Sequence, residues 1–211
     1  MRSMPRRGST WRPRRRLVRN VTKLPPSLLI SAYLQGVFPM GVDGELHWFS
    51  PDPRAIVPLD AFHVSKTLAQ TIRRQPFEIR IDGAFRDVVL ACADRPEGTW
   101  ITGEIVKAYT ELNRLGFAHS VEAWHRDSLV GGLYGVSIGG AFFGESMFHR
   151  LRDASKVALS HLVERLRSRG FMLLDIQFMT AHLKRFGAVE IPRDDYLMLL
   201  RKAVAVPITF V

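Results

Sequence analysis

The sequence predicts an α+β protein in which helices pack on a mostly antiparallel sheet. Three observations point there. Residues 118–149 read as three consecutive strand-like runs, AHSVEAWHRD, SLVGGLYGVSIGG and AFFGESMFH, parted by short turn signals at Arg126-Asp127 and Gly139-Gly140. Amphipathic helical segments precede this meander, and a long one, DASKVALSHLVERLRSRG, follows it from Asp153 to Gly170. A short apolar run, LLDIQFM at 173–179, then returns the chain to the sheet.

Taken in order, SLLISAYLQG places Leu28, Leu29, Ala32 and Tyr33 at helical spacing, with Ser27 to cap the start and Gly36 to end it. The stretch VFPMGVDGELHWFSPDPRAIVPL is rich in Pro and Gly and reads as an irregular connection with a strand or two. Its SPDP marks a domain junction. Core packing is the default role for the aromatics and the arginine of HWFSPDPR. Ser65 caps a second helix, KTLAQTIRRQ, which Pro76 stops and whose one face is basic through Lys66, Gln70 and Arg73. FEIRID alternates as a strand, and GAFRDVVLACAD and TGEIVKAYTELNRLG are amphipathic helices. After LLDIQFM come a helix, TAHLKRFG, then a strand remnant and a last helix in VEIPRDDYLMLLRKAV. The expected layout is a flexible basic tail at 1–23, a small N-terminal domain at 24–52, and a larger domain at 53–211. The larger domain has the outline of an acetyltransferase-like (GNAT) acyltransferase.

Composition narrows the function. The 211 residues contain one cysteine, Cys92, so no intramolecular disulfide forms and a reducing cytoplasm suits the chain. No apolar run reaches the roughly 18–20 residues of a membrane span. The seven histidines show no metal-ligand spacing, so no metal site is expected. The net charge of +10 is uneven: residues 1–23 hold nine of the 30 Lys and Arg and no acid, which leaves the rest close to neutral. Such a tail reads as a solvated leader, an arm attracted to phosphate, or a short targeting peptide.

LLDIQFM carries the main chemical signal. Side chains alternate along a strand, so Asp175 and Gln177 point one way while Leu174 and Ile176 point the other. Two buried polar groups cost about 1–3 kcal/mol each if unpaired. They are tolerated where they line a cleft, or where Asp175 caps a helix or pairs with Arg185. A carboxylate beside an amide suits positioning and proton handling during acyl transfer. FFGESMF repeats the pattern. There Glu145 and Met147 are expected to share a face, and Gly144 lets a ligand approach the backbone. Trp100, in EGTWI, either stacks on a base or sugar or packs a helix start, and Tyr109 on the next helix offers a hydroxyl.

In order along the chain, SPDPRAIVPLDAFHVSKTL, GTWIT, AYTELNRLGFAHSVEAW, LVGGLYGVS, FFGESMFHRLRDASKVAL, LLDIQ and FGAVEIPRDDY resemble the leucyl/phenylalanyl-tRNA–protein transferase family over roughly residues 27–200. The resemblance implies a cytoplasmic, monomeric enzyme with no cofactor. Its donors would be Leu-tRNA and Phe-tRNA, and its acceptor the α-amine of proteins starting with Arg or Lys, tagged for N-end-rule degradation. It implies that Asp175 and Gln177 form the catalytic pair, oriented by Glu145. Trp100 would stack on the terminal adenosine with Tyr109 near it. Leu133, Phe142 and Met147, beside Gly144, would line the aminoacyl pocket. Arg73 and Arg74, with Lys66 on the same helix, would touch the acceptor stem. The segment ahead of SAYLQGVFPM lacks the Gly-Gly-Asp element common in the family.

Three rivals remain. The same chemistry could serve acidic N-termini or a non-protein amine. A CoA-dependent N-acetyltransferase would need a glycine-rich loop before the long helix, where MFHRLRDASK has none. A non-catalytic RNA-binding protein would leave Asp175, Gln177 and Glu145 unexplained.

Overall fold

The protein is described by a computed structural model over residues 24–211, so the basic segment 1–23 lies outside the described residues. Helix α1 (Pro26–Leu34) starts without a side-chain cap, with Pro25 in the capping position and Pro26 in the first turn. Ser27, expected as the cap, lies inside that turn. Proline brings its helical φ with it and has no N–H to satisfy, so the helix starts at Pro26. The segment expected to be an irregular connection with a strand or two holds three strands. β1 (Phe38–Val42) and β2 (Glu45–Phe49) form a hairpin, and β3 (Arg54–Val57) enters the main sheet. Asp43 and Gly44, at φ 51° and 79°, make the two-residue turn that such a hairpin requires.

The remaining elements fall where periodicity places them. Ser65 caps α2 (Lys66–Arg74) by accepting from the Leu68 N–H, and Gln75 closes it in the left-handed region before Pro76. Then come β4 (Glu78–Ile81), α3 (Phe85–Ala93) and α4 (Gly103–Arg114), followed by β5 (Ala118–His125), β6 (Ser128–Ile138) and β7 (Ala141–His149). The chain ends with α5 (Ala154–Ser168), β8 (Leu173–Gln177), α6 (Ala181–Lys184), β9 (Val189–Ile191) and α7 (Arg193–Val204).

Seven strands form one sheet in the order β4-β5-β6-β7-β8-β3-β9. Every pairing is antiparallel except β7 with β8. Helices cover both faces. α1, α3, α4 and α7 bury Tyr33, Val88, Tyr109 and Tyr196 on one, while α2 and α5 bury Leu68, Val157 and Leu162 on the other. Leu29, Tyr33 and Phe38 share their cluster with Tyr109 and Phe143, so the N-terminal elements and the sheet have one continuous core.

Two irregularities create the site. The parallel pair spans only Ala141–Phe143 against Leu173–Asp175. Beyond it β7 stays with β6 and β8 with β3, so the sheet splays. In the same place Tyr134 pairs with Ser146 and Gly135 with Gly144, which leaves Glu145 as the extra residue of a bulge. The bulge breaks the alternation, so Glu145 and Met147 lie on opposite faces rather than sharing one: Glu145 reaches Tyr33, and Met147 joins the cluster under α5. A side chain at Gly135 could not coexist with this geometry, because its Cβ would lie 2.3 Å from the Phe143 carbonyl oxygen. Gly135→Ala is therefore expected to destabilise the fold by about 1–3 kcal/mol, as overpacking does. Chemical denaturation checks this, and an unchanged midpoint would refute it.

Candidate active site

The splay opens into a cavity of about 1060 Å³. Gly144, Glu145, Ser146 and Met147 of β7 and Ile176 and Gln177 of β8 form its floor. Phe38, Met40 and Trp100 stand at one end, and Leu133, Leu159, Leu162 and Leu174 make an apolar wall.

Gln177 ends β8 at φ +58°, a left-handed conformation that a non-glycine residue holds only when its surroundings fix it. Its backbone N–H donates to Asp175 Oδ1 at 2.9 Å, and its side-chain amide donates to Glu145 Oε1 at 3.0 Å across the splay. The Tyr33 hydroxyl donates to the same oxygen at 2.7 Å, the Tyr109 hydroxyl reaches Oε2 at 3.4 Å, and the two phenols bond to each other. Burial, helped by the charge of Asp175 and opposed by the two tyrosine hydrogen bonds, pushes the Glu145 carboxyl up to about 8. Tyr33 and Tyr109 are raised well above the usual phenol value, chiefly by burial, and remain protonated donors.

A raised carboxyl has a consequence for stability. The unfolded chain ionises Glu145 in the ordinary glutamate range, while the folded chain holds the proton up to about 8. Folding stability is therefore expected to fall as pH rises between those limits. Glu145→Gln should remove that part of the slope. Urea melts across this pH range compare the two proteins, and equal slopes would contradict the assignment.

Asp175 does not face the cavity. It is fully buried, and its four nearest donors fill its acceptor sites. Arg54 Nε reaches Oδ1 at 2.9 Å and Arg54 Nη2 reaches Oδ2 at 2.6 Å, while the Gln177 N–H and the Tyr196 hydroxyl (2.8 Å) complete the set. Arg54, 1% exposed, also donates to the Gly36 carbonyl and lies between the Phe38 and Tyr196 rings at 4.9 and 4.5 Å. The bidentate pair ties α1, β1, β3, β8 and α7 into one buried knot.

The structure thus brings Glu145, Gln177, Gly144, Leu133, Met147 and Trp100 to one cavity. Tyr109 does not line the cavity and reaches it through Glu145 in the floor. Phe142 is fully buried against Phe210 rather than in the wall. Lys66, Arg73 and Arg74 are exposed on α2 and do not line the cavity. Trp100 is fixed from the hairpin side: its carbonyl accepts the Gly41 N–H at 3.0 Å, and a Cβ on Gly41 would lie 2.8 Å from that oxygen. Sequence reasoning missed Arg54, Tyr33 and Tyr196. A signal for Arg54 existed: PDPR-AIV puts an arginine at the head of an apolar strand, and a buried arginine requires a buried acid.

An apolar chamber that ends at a carboxyl and an amide can hold an acyl group by its side chain while handling the proton of an attacking nucleophile. That arrangement defines an acyltransferase. A family model described as leucyl/phenylalanyl-tRNA protein transferase matches residues 56–201, and the model of that family's N-terminal domain matches residues 22–52. Leucyl/phenylalanyl-tRNA–protein transferases of Herpetosiphon aurantiacus and Gloeobacter violaceus are 58% and 57% identical over 189 residues. Each alignment covers 89% of this chain, and 98% and 97% of the relative. The one from Phenylobacterium zucineum is 58% identical, covering 86% of this chain and 85% of its own. The chain belongs to the leucyl/phenylalanyl-tRNA protein transferase family.

Among solved structures it is similar to L-PGS from Bacillus licheniformis, with TM-score 0.43 and 12% identity over 72% of this chain and 65% of that one. It is also similar to a GCN5-related N-acetyltransferase-like protein from Streptococcus suis, with TM-score 0.37 and 13% identity over 78% and 63%. No helix among the described residues is long and apolar enough to cross a membrane.

Proposed function

We propose that the protein moves leucine or phenylalanine from its tRNA ester to the α-amine of proteins beginning with Arg or Lys, tagging them for N-end-rule degradation, and that Glu145 and Gln177 work at the reacting atoms. The hydrogen bond between Gln177 and Glu145 across the floor of the cavity carries this reading. The amine nitrogen attacks the ester carbonyl. The C–N bond forms, the C–O bond to the ribose breaks, the nitrogen loses a proton and the ribose oxygen gains one. The ester is already activated, so positioning and proton transfer suffice. Glu145, with its pKa near the operating range, takes the amine proton and returns one to the departing oxygen. Gln177 holds the Glu145 carboxylate and the reacting groups in register. Asp175 is a positioning residue that fixes the backbone of Gln177.

Leu133 and Met147, with the leucines of the apolar wall, hold the aminoacyl side chain, and Trp100 stacks on the terminal adenosine. The exposed cations Lys66, Arg73 and Arg74 of α2 serve the acceptor stem. The same reading places the protein in the cytoplasm, where charged tRNA is made, as a single chain without a resident cofactor. Residues 24–52 form its small N-terminal domain and 53–211 its transfer domain.

Transfer of radiolabelled leucine from Leu-tRNA to peptides beginning with Arg, Lys, Asp or Ala tests this. Labelling of the Arg and Lys peptides is expected. Labelling of the Asp peptide alone would keep the chemistry and overturn the acceptor. No labelling by folded protein that still binds tRNA would replace the enzyme with a binding module.

A further inference from the structure

In the turn between β7 and α5 the cavity lining forms an exposed cationic rim of Arg150 and Arg152, with Lys156, His149 and His182 beside them; exposed Arg95 and Glu97 line the cavity from the loop before Trp100. Asp153 is the acid of that turn. It is already engaged by Lys156 at 2.6 Å and Arg152 at 3.6 Å. The arginines of the turn do little for the fold. The side chain of Arg152 is 88% exposed, and exposed Arg150 makes only a long 3.3 Å contact to the Leu129 carbonyl and a 5.7 Å approach to the Phe148 ring. Solvated cations on the exposed rim of a chamber with a leucine wall are placed to meet an anion as it enters. The local field is felt nearby: His182 titrates below the usual histidine range because of burial and then of Lys156, Arg185 and His149.

We propose that this rim binds the phosphates of the single-stranded 3′ end of the RNA donor, immediately 5′ of the adenosine that carries the aminoacyl ester. The proposal rests on the transferase reading above and adds a subsite to it. If the terminal adenosine stacks on Trp100 and the aminoacyl group enters the leucine-lined wall, the preceding nucleotides leave the cavity by its mouth. There each brings one phosphate past Arg150, Arg152 and Lys156. Such contacts read charge rather than sequence, which suits an end shared by all tRNAs. An acidic acceptor protein is the competing use of the same cations, and a comparison of substrates separates the two.

Two donors are compared, Leu-tRNA and leucyl-adenosine, the second carrying the same ester but no phosphate. For Arg150→Gln/Arg152→Gln, KM for Leu-tRNA is expected to rise on the order of tenfold. The salt slope of log(kcat/KM) should fall by about 1.4, from roughly 0.7 per single-strand phosphate contact. Kinetics with leucyl-adenosine report whether the reaction centre survives in that variant, and KM for the acceptor peptide should stay at the wild-type value. Arg201→Gln/Lys202→Gln, which removes the same charge from exposed positions on α7 outside the cavity wall, controls for net charge. An unchanged KM and slope for Leu-tRNA would overturn the proposal. So would an effect that is equal for both donors, shared by the α7 control, or confined to the acceptor peptide. Absence of transfer by wild type from either donor would instead overturn the transferase assignment itself, and the subsite with it.

Discussion

Arg54→Leu is expected to cost about 3–5 kcal/mol of folding stability and to abolish transfer, because it leaves the Asp175 carboxylate buried without its cation. The pair is bidentate, with Arg54 1% and Asp175 0% exposed, so no water can replace the guanidinium. The same change frees the Gly36 carbonyl and the space between the Phe38 and Tyr196 rings. Arg54→Lys should fail as well, since one ammonium cannot supply two parallel donors. The double variant Arg54→Leu/Asp175→Leu separates stability from catalysis. Removing both charges is expected to restore much of the stability while transfer stays lost, because the Gln177 N–H then has no acceptor. Denaturation midpoints and single-turnover transfer rates measure the two effects. Full transfer by the double variant would show that Asp175 does not position Gln177.

Glu145→Gln is expected to lower kcat by about 10²–10⁴-fold, the range set by loss of a general base, with KM for the donor little changed. The fold should tolerate it, since glutamine can still accept from the Tyr33 hydroxyl. In wild type the single-turnover rate should climb with pH to a plateau above about 8, as Glu145 loses its proton. An α-amine titrates at about 7.7–8.0 and adds its own limb. The limb that disappears in Glu145→Gln belongs to the carboxyl, and the limb that survives belongs to the amine. An unaltered pH profile in the variant would remove Glu145 from proton transfer and leave it a positioning role. Gln177→Ala should lose about 10²–10³-fold in kcat through the missing donor. It should also move the carboxyl limb, because the amide bonds directly to Glu145.

How far the site was legible in the sequence depends on whether its parts obey local rules. LLDIQ reads correctly because strand alternation is a property of five consecutive residues: Asp175 and Gln177 share a face and Leu174 and Ile176 take the other. Ser65 caps its helix as its spacing indicates. Ser27 does not, because two prolines before it start the helix without one. The shared face of Glu145 and Met147 fails for a non-local reason, since whether a strand bulges depends on the register of its neighbour. The pairing of Asp175 is non-local too: PDPR-AIV signals a buried arginine, but no local rule says which acid it meets. Arg185 lies closer in sequence, yet the ion pair forms with Arg54, 121 residues away.

By itself the sequence determined the order of helices and strands, the antiparallel meander, the polar strand at 173–177 and the family. Each of these is written in short-range periodicity or in motifs of a few residues. The tertiary structure alone decided where the sheet splays, that Glu145 is lifted out at a bulge to meet Gln177, and that Asp175 is locked to Arg54 instead of facing the substrate. Those outcomes depend on which distant strands pair and in what register. In that buried setting, the arrangement that pairs the buried charges and most of the polar groups is favoured, whatever the separation along the chain.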